Sequence, residues 1–224
     1  MKINLYTIAN LRLEIRRLEE WIKHNIKLGV DHIYIYNNGL KSPLLPIHKK
    51  KKKFSEVEKY NQDLSDEQIL KMVEDIKNRY DSITIVPWVF GEDHEYYYPE
   101  SQSEGFINCV SNYGNEECWW LFIDPDEFLF LKKHESLKHF ANDYNKYNYL
   151  KWGQVRRWQD PNIYEWAGQK WMIKISGINA IKQFNVRLIH RPKIFEQNQK
   201  DFKDPSVIFM NHISFIEEAY LNYD

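Results

Sequence analysis

The chain of 224 residues is 43% hydrophobic and close to neutral, with 31 Lys+Arg against 32 Asp+Glu. That length suits one globular domain or two small lobes sharing a core, which needs no disulfide staples, and the charge balance speaks against a dedicated nucleic-acid binder, which carries a basic excess. No apolar run approaches the ~20 residues of a membrane span, and the N-terminus MKINLYTIANLRLEIRR turns charged too early for a signal peptide, so a cytoplasmic location is expected.

Lys2–Ala9 is a short β-prone run. After it, Leu11, Ile15, Leu18, Ile22 and Ile26 recur at helical spacing, with Gly29 placed to cap the end. His32–Tyr36 is a second strand, stopped by Asn37-Asn38-Gly39. Residues Ser42 to Asp63 hold two prolines and the run Lys49–Lys53, whose like charges repel, and read as a solvated insertion. Ser65 and Gln68 form a capping box ahead of a stripe of Ile69, Met72, Val73, Ile76 and Tyr80. Ser82–Trp88 is a third strand, and Pro99 starts a helix through Phe106, Cys109 and Val110. The two cysteines, Cys109 and Cys118, lack metal-ligand spacing and read as reduced thiols. Trp119–Ile123 is wholly apolar, as a strand buried on both faces should be.

Beyond Glu135 a helix is expected over Leu137, Phe140, Ala141 and Tyr144. Strands are expected at Tyr149–Trp158, Lys170–Ile175, Phe184–Ile189 and Val207–Ile213, with a short closing helix at Ser214–Tyr220. Alternating strands and helices in the first half imply an α/β fold, a mostly parallel sheet flanked by helices, followed by a mixed region. Ligands of such sheets sit at the carboxyl ends of the strands. That rule singles out Ala9 and Asn10, Asn37 and Asn38, and the segment immediately after Ile123.

That segment is Asp124-Pro125-Asp126-Glu127. Three carboxylates beside the most apolar strand are costly unless compensated. Pro125 interrupts the ladder, and Asp124 and Asp126, two apart on an extended backbone, can point the same way. Oxygen ligands of this kind suit Mg²⁺ or Mn²⁺, which keep waters and substrate phosphates in their shell. An exposed acidic turn is the plainer alternative, and Glu127 can serve simply to hold the turn by accepting backbone N–H bonds.

Leu18–Asn38, LEEWIKHNIKLGVDHIYIYNN, and Trp120–Leu129, WLFIDPDEFL, together resemble the signature blocks of glycosyltransferase family 92, including its DxD motif. Gln102 and Cys109 are similar to a Q…C segment ahead of that motif, and Val186–Pro192 and Asn211-His212 resemble the family's C-terminal blocks. The family usually has Lys-Asn-Glu after its first strand, where this chain has Ala9-Asn10-Leu11, and Asp where this chain has Asn37.

The resemblance implies a GT-A-like, Rossmann-like fold over residues 1–224. Residues 1–130 would form the nucleotide-sugar half and 131–224 the acceptor side. It implies a hexosyltransferase that takes a nucleotide-sugar donor, UDP-linked, to a glycan or glycoconjugate acceptor, with inversion and a divalent metal, Mn²⁺ or Mg²⁺. On this reading Asp126 ligates the metal, Asp124 meets the ribose or the metal, and His212 reaches the diphosphate or metal. Ala9, Asn10, Asn37, Asn38, Gln102, His190 and Arg191 would line the donor. Lys182 and Arg187 are further phosphate candidates.

An inverting transfer needs a general base by the acceptor hydroxyl. Asp160 and Glu165 are the candidates, in a stretch whose Trp158, Trp166 and Trp171 could underlie a sugar ring. A metal-dependent nucleotidyltransferase or nucleotide-sugar hydrolase would use the same acidic turn, although TIANLRLE lacks the Gly-rich phosphate loop common in the former. A non-catalytic carbohydrate-binding protein on the same fold is the remaining alternative.

Overall fold

In a computed structural model, residues 1–40, 63–88, 99–157, 164–175, 199–202 and 208–212 are described. Strand β1 (Ile3–Ala9) leads into helix α1 (Leu11–Lys27), β2 (His32–Asn37), α2 (Asp66–Arg79) and β3 (Ile83–Pro87). Then come α3 (Pro99–Tyr113), β4 (Cys118–Phe122), β5 (Glu127–Leu131) and α4 (Leu137–Asp143). The chain continues through β6 (Tyr149–Arg157), β7 (Tyr164–Ile175), β8 (Gln199–Phe202) and β9 (Ile208–His212).

One sheet holds these strands in the order β3-β2-β1-β4-β7-β6-β9-β5, with β8 paired to β6. Strands β3, β2, β1 and β4 are parallel neighbours, so their carboxyl ends share one edge. Strand β7 pairs antiparallel to β4, and β5 antiparallel to β9. The expected α/β class holds, with a parallel half and a mixed half. Strands β5 and β8 were not anticipated from the sequence. Strand β7 begins at Tyr164, earlier than the expected Lys170.

Local chemistry explains the elements. In α2 the capping box is formed in both directions: Ser65 Oγ accepts from Gln68 N at 3.2 Å, and Gln68 Oε1 accepts from Ser65 N at 2.7 Å. Helix α1 starts at Asn10, whose side chain accepts from Leu13 N at 3.3 Å. It ends before Gly29 at φ +96°, a left-handed turn that glycine adopts without Cβ strain.

Strands β1, β2 and β4 are buried on both faces, which is why Trp119–Ile123 has no polar position. Ile3, Leu5, Trp119, Leu121 and Ile123 pack under α1, α2 and α4. Tyr6, Ile8, Trp120 and Phe122 pack under α3 through Phe106, Cys109 and Val110. Both cysteines are buried free thiols. Trp171, expected as a platform for a sugar, is instead a core residue stacked on Phe122, ring centroids 6.3 Å apart. No helix among the described residues is long and apolar enough to cross a membrane.

Candidate functional site

The shared carboxyl edge collects the ends of β1, β2 and β4. Ala9 and Asn37 are partners in register. Asn38 N donates to Ala9 O at 2.8 Å, and Gly39 N donates to Asn37 Oδ1 at 2.8 Å. The segment leaving β2 is therefore tied to the start of α1, and Leu11 N donates to Gly39 O at 3.2 Å. These bonds bring Ala9, Asn10, Asn37 and Asn38 together at one edge, as the strand-end rule anticipated. Gln102 lies in the first half of α3, buried, and its carbonyl accepts the Tyr6 hydroxyl at 3.0 Å. Its side-chain Oε1 is buried with no hydrogen-bond partner.

The acidic turn follows β4 directly. Glu127 Oε2 accepts from Asp124 N at 2.9 Å, and Glu127 N donates to Asp124 O at 3.0 Å. The turn thus closes on itself across Pro125 and Asp126, with Glu127 in the holding role. Asp126 is 7% exposed.

Lys170 was not picked out by sequence reasoning. In β7, Trp171 pairs with Phe122, so the preceding Lys170 lies just past the carboxyl end of β4. Its Nζ lies 2.7 Å from both Asp124 Oδ2 and Glu127 Oε2, and 5.0 Å from the Phe122 ring centroid. Burial works against the ammonium, but the Asp124 and Glu127 carboxylates outweigh it and push the Lys170 pKa up, so the group stays cationic. Burial pushes the Glu127 carboxyl up to about 8; Lys170 opposes that rise, while Asp124 and Asp126 add to it.

Glu14, on the first turn of α1, belongs to the same electrostatic group. Burial raises its pKa well above the usual carboxylate range, Asp126 and Asp124 add to the rise, and Arg17 opposes it. Glu14, Asp124, Asp126 and Glu127 thus form one electrostatic group that includes Arg17 and Lys170. No cluster of three or more His, Cys, Asp or Glu among the described residues is arranged to hold a metal ion by itself.

Register also places backbone of the mixed half beside the turn. Glu127 is opposite His212 in β9, His212 is opposite Arg156 in β6, and Arg156 is opposite Glu165 in β7. The Cα row Glu127–His212–Arg156–Glu165 thus runs across four adjacent strands, with His212 next to the turn. Asp160, His190, Arg191, Trp158, Lys182 and Arg187 lie outside the described residues, as do Lys49–Lys53, Phe184–Ile189 and Ser214–Tyr220.

No family model matches the chain. A glycosyltransferase family 92 protein of Oryza sativa subsp. japonica is 27% identical over 137 residues, 60% of this chain. The chain spans only 18% of that relative's length. S. aureus TarS 1-349 is similar in structure at a TM-score of 0.50 and 10% identity, covering 93% of this chain and 60% of that one. A UDP-glucose pyrophosphorylase from Acinetobacter baumanii reaches 0.38 at 9% identity, over 85% and 79% of the two chains, too low to carry any inference. The fold is α/β and GT-A-like, and the chain is similar in sequence, over three-fifths of its length, to a family 92 glycosyltransferase.

Proposed function

We propose that the chain is a divalent-cation-dependent glycosyltransferase that moves a hexosyl group from a nucleotide-sugar donor, UDP-linked, to a glycan hydroxyl with inversion. The observation that carries this reading is the acidic turn after β4: Asp124, Asp126 and Glu127 lie at the shared carboxyl edge of the parallel strands, the turn closed by the Glu127 carboxylate. The sequence similarity to a family 92 protein supports the reaction class.

What supports a divalent ion is the set of carboxyl groups gathered at the turn, one of which, Glu14 Oε2, is buried and makes no hydrogen bond. Asp126 would be its principal protein ligand, with Asp124 and His212 nearby. Few protein ligands are needed, since ions of this class take much of their shell from waters and donor phosphates. When bound, such an ion stabilises the negative charge that develops on the departing diphosphate.

The chain's own residues do the rest. Lys170 holds Asp124 and Glu127, and with them the shape of the turn. Ala9, Asn10, Asn37, Asn38 and Gln102 would form the nucleoside end, with His190 and Arg191 toward the phosphates. Residues 1–130 would then bind the donor and 131–224 the acceptor. Glu165 or Asp160 would remove the proton from the acceptor hydroxyl.

Incubation with UDP-sugars, Mn²⁺ and candidate glycan acceptors tests the reading. Release of UDP with a product of inverted anomeric configuration is expected. Release of pyrophosphate from UTP and a sugar phosphate would instead make the chain a nucleotidyltransferase.

A further inference from the structure

Glu14 is an unusual residue for its position. An acidic side chain in the first turn of a helix is favoured by the helix dipole even when exposed. Here the residue is 6% exposed, and its Oε2 has no hydrogen-bond partner. Burying a polar group in that way costs about 1–3 kcal/mol, and more for a charged one. Packing alone would be served by leucine, and dipole stabilisation by an exposed acid.

Its direction is set by its helix. Trp21, seven residues on, donates from Nε1 to Glu127 O at 2.9 Å, and His24 Nε2 lies 2.8 Å from Leu129 O. The face of α1 carrying Trp21 is therefore pinned to β5. Seven residues are close to two turns, so Glu14 lies on that same face, roughly 10.5 Å nearer the helix N-terminus. That displacement carries it from β5 towards the carboxyl edge of the sheet, where Asp126 and Asp124 are within electrostatic range. Lys170 is already engaged by Asp124 and Glu127. Arg17 is in electrostatic range of Glu14, but no hydrogen bond reaches Oε2.

We infer that Glu14 is the second carboxylate of the divalent-cation site, contributed by α1 to face Asp126 of the acidic turn. The inference rests on the cation-dependent reading proposed above and deepens it. The carboxylates of the cluster then divide into two pairs. Lys170 holds Asp124 and Glu127, and the bound ion would lie between Asp126 and Glu14. Two protein carboxylates, with the remaining positions left to waters and diphosphate oxygens, is a usual arrangement for Mg²⁺-class ions.

The test is Mn²⁺ binding to the full chain in the presence of UDP, measured by calorimetry for wild type, Glu14→Gln and Asp126→Asn, with melting temperatures of the metal-free proteins alongside. Glu14→Gln should melt at or above wild type without metal, because a buried carboxyl oxygen that lacks a hydrogen bond is replaced by an amide with no charge to desolvate. Its Mn²⁺ affinity should fall by about 10- to 100-fold. Glu14→Asp, which keeps the charge on a shorter arm, should recover part of that loss.

Wild-type Mn²⁺ affinity in Glu14→Gln, with affinity lost in Asp126→Asn, would overturn the role of Glu14 and leave the cation site standing. Undiminished affinity in both variants would remove the cation-dependent reading as well. A measurement on wild-type protein covers the case in which Glu14→Gln does not fold. With ¹³C-labelled glutamate, addition of Mg²⁺ and UDP should shift a glutamate carboxylate band in the infrared difference spectrum, and no such shift would overturn the inference.

Discussion

The ammonium of Lys170 meets the carboxylate of Glu127 at 2.7 Å, with both side chains 2% exposed. The same nitrogen holds Asp124, so one buried cation fixes both ends of the acidic turn. Lys170→Met would leave Glu127 buried without its counter-charge. Breaking a buried pair in this way costs about 3–5 kcal/mol, to be read as a lowered urea midpoint. Lys170→Arg keeps the charge and should lose less. A Lys170→Met protein as stable as wild type would contradict the clamp.

Gly105 leaves no room for a side chain beside the Tyr6 hydroxyl. A Cβ at Gly105 would stand 2.4 Å from the Tyr6 hydroxyl oxygen and 3.2 Å from Trp88 Nε1. Tyr6 is fully buried among Tyr36, Phe106 and Phe122 and has no room to swing away. Gly105→Ala should therefore destabilise by about 1–3 kcal/mol, as overpacked cores do. Adding Tyr6→Phe removes the clashing oxygen, so the double variant should be more stable than the two single effects summed. Denaturant titration of the four proteins measures that coupling.

Asn10 has a structural role as well as its proposed one at the nucleoside end. Asn10→Ala should cost about 1 kcal/mol through loss of the α1 cap, while Asn10→Asp should retain it. Comparing UDP affinity in these two variants separates the cap from any contact made by the amide nitrogen.

His24 gives the fold a dependence on pH. Burial holds its pKa below the ordinary 6.5, and its neutral ring, with the proton on Nε2, donates to Leu129 O between Phe128 and Phe130. The unfolded chain binds the proton more readily than the folded one. The contribution is therefore fully present above pH 6.5 and is lost as pH falls towards the depressed folded value. His32, also held low by burial, acts in the same direction. Glu14 and Glu127, whose carboxyls are held high, act in the opposite direction, so the test is the comparison with His24→Gln: between pH 7.5 and 5.5 wild type should lose melting temperature relative to that variant.

The local elements were legible because their determinants are local. The Ser65–Gln68 box, the Gly29 stop and the apolar run Trp119–Ile123 each lie within a few neighbouring positions, and each formed as read. Strand β5 was hidden because Glu127 heads it directly after the turn, so its start read as acidic loop. Lys170 was hidden for a different reason: a lysine in a Trp-rich strand looks like a solvated side chain, and its burial depends on carboxylates 43 and 46 residues earlier. Glu14 carried a signal that was available. It stands three residues after Leu11, four before Leu18 and seven before Trp21, inside the apolar stripe of α1, where an exposed acid would not be placed.

The most direct measurement of the cation-dependent reading is calorimetry of UDP-sugar binding to wild type and Asp126→Asn, each with and without Mn²⁺. The substitution keeps the size of the side chain and removes its charge from a group of neighbouring carboxyls. The variant should fold at least as stably as wild type without metal, and its donor binding should no longer respond to Mn²⁺. Donor binding by Asp126→Asn that depends on Mn²⁺ to the same extent as in wild type would show that the acidic turn is not where the cation acts.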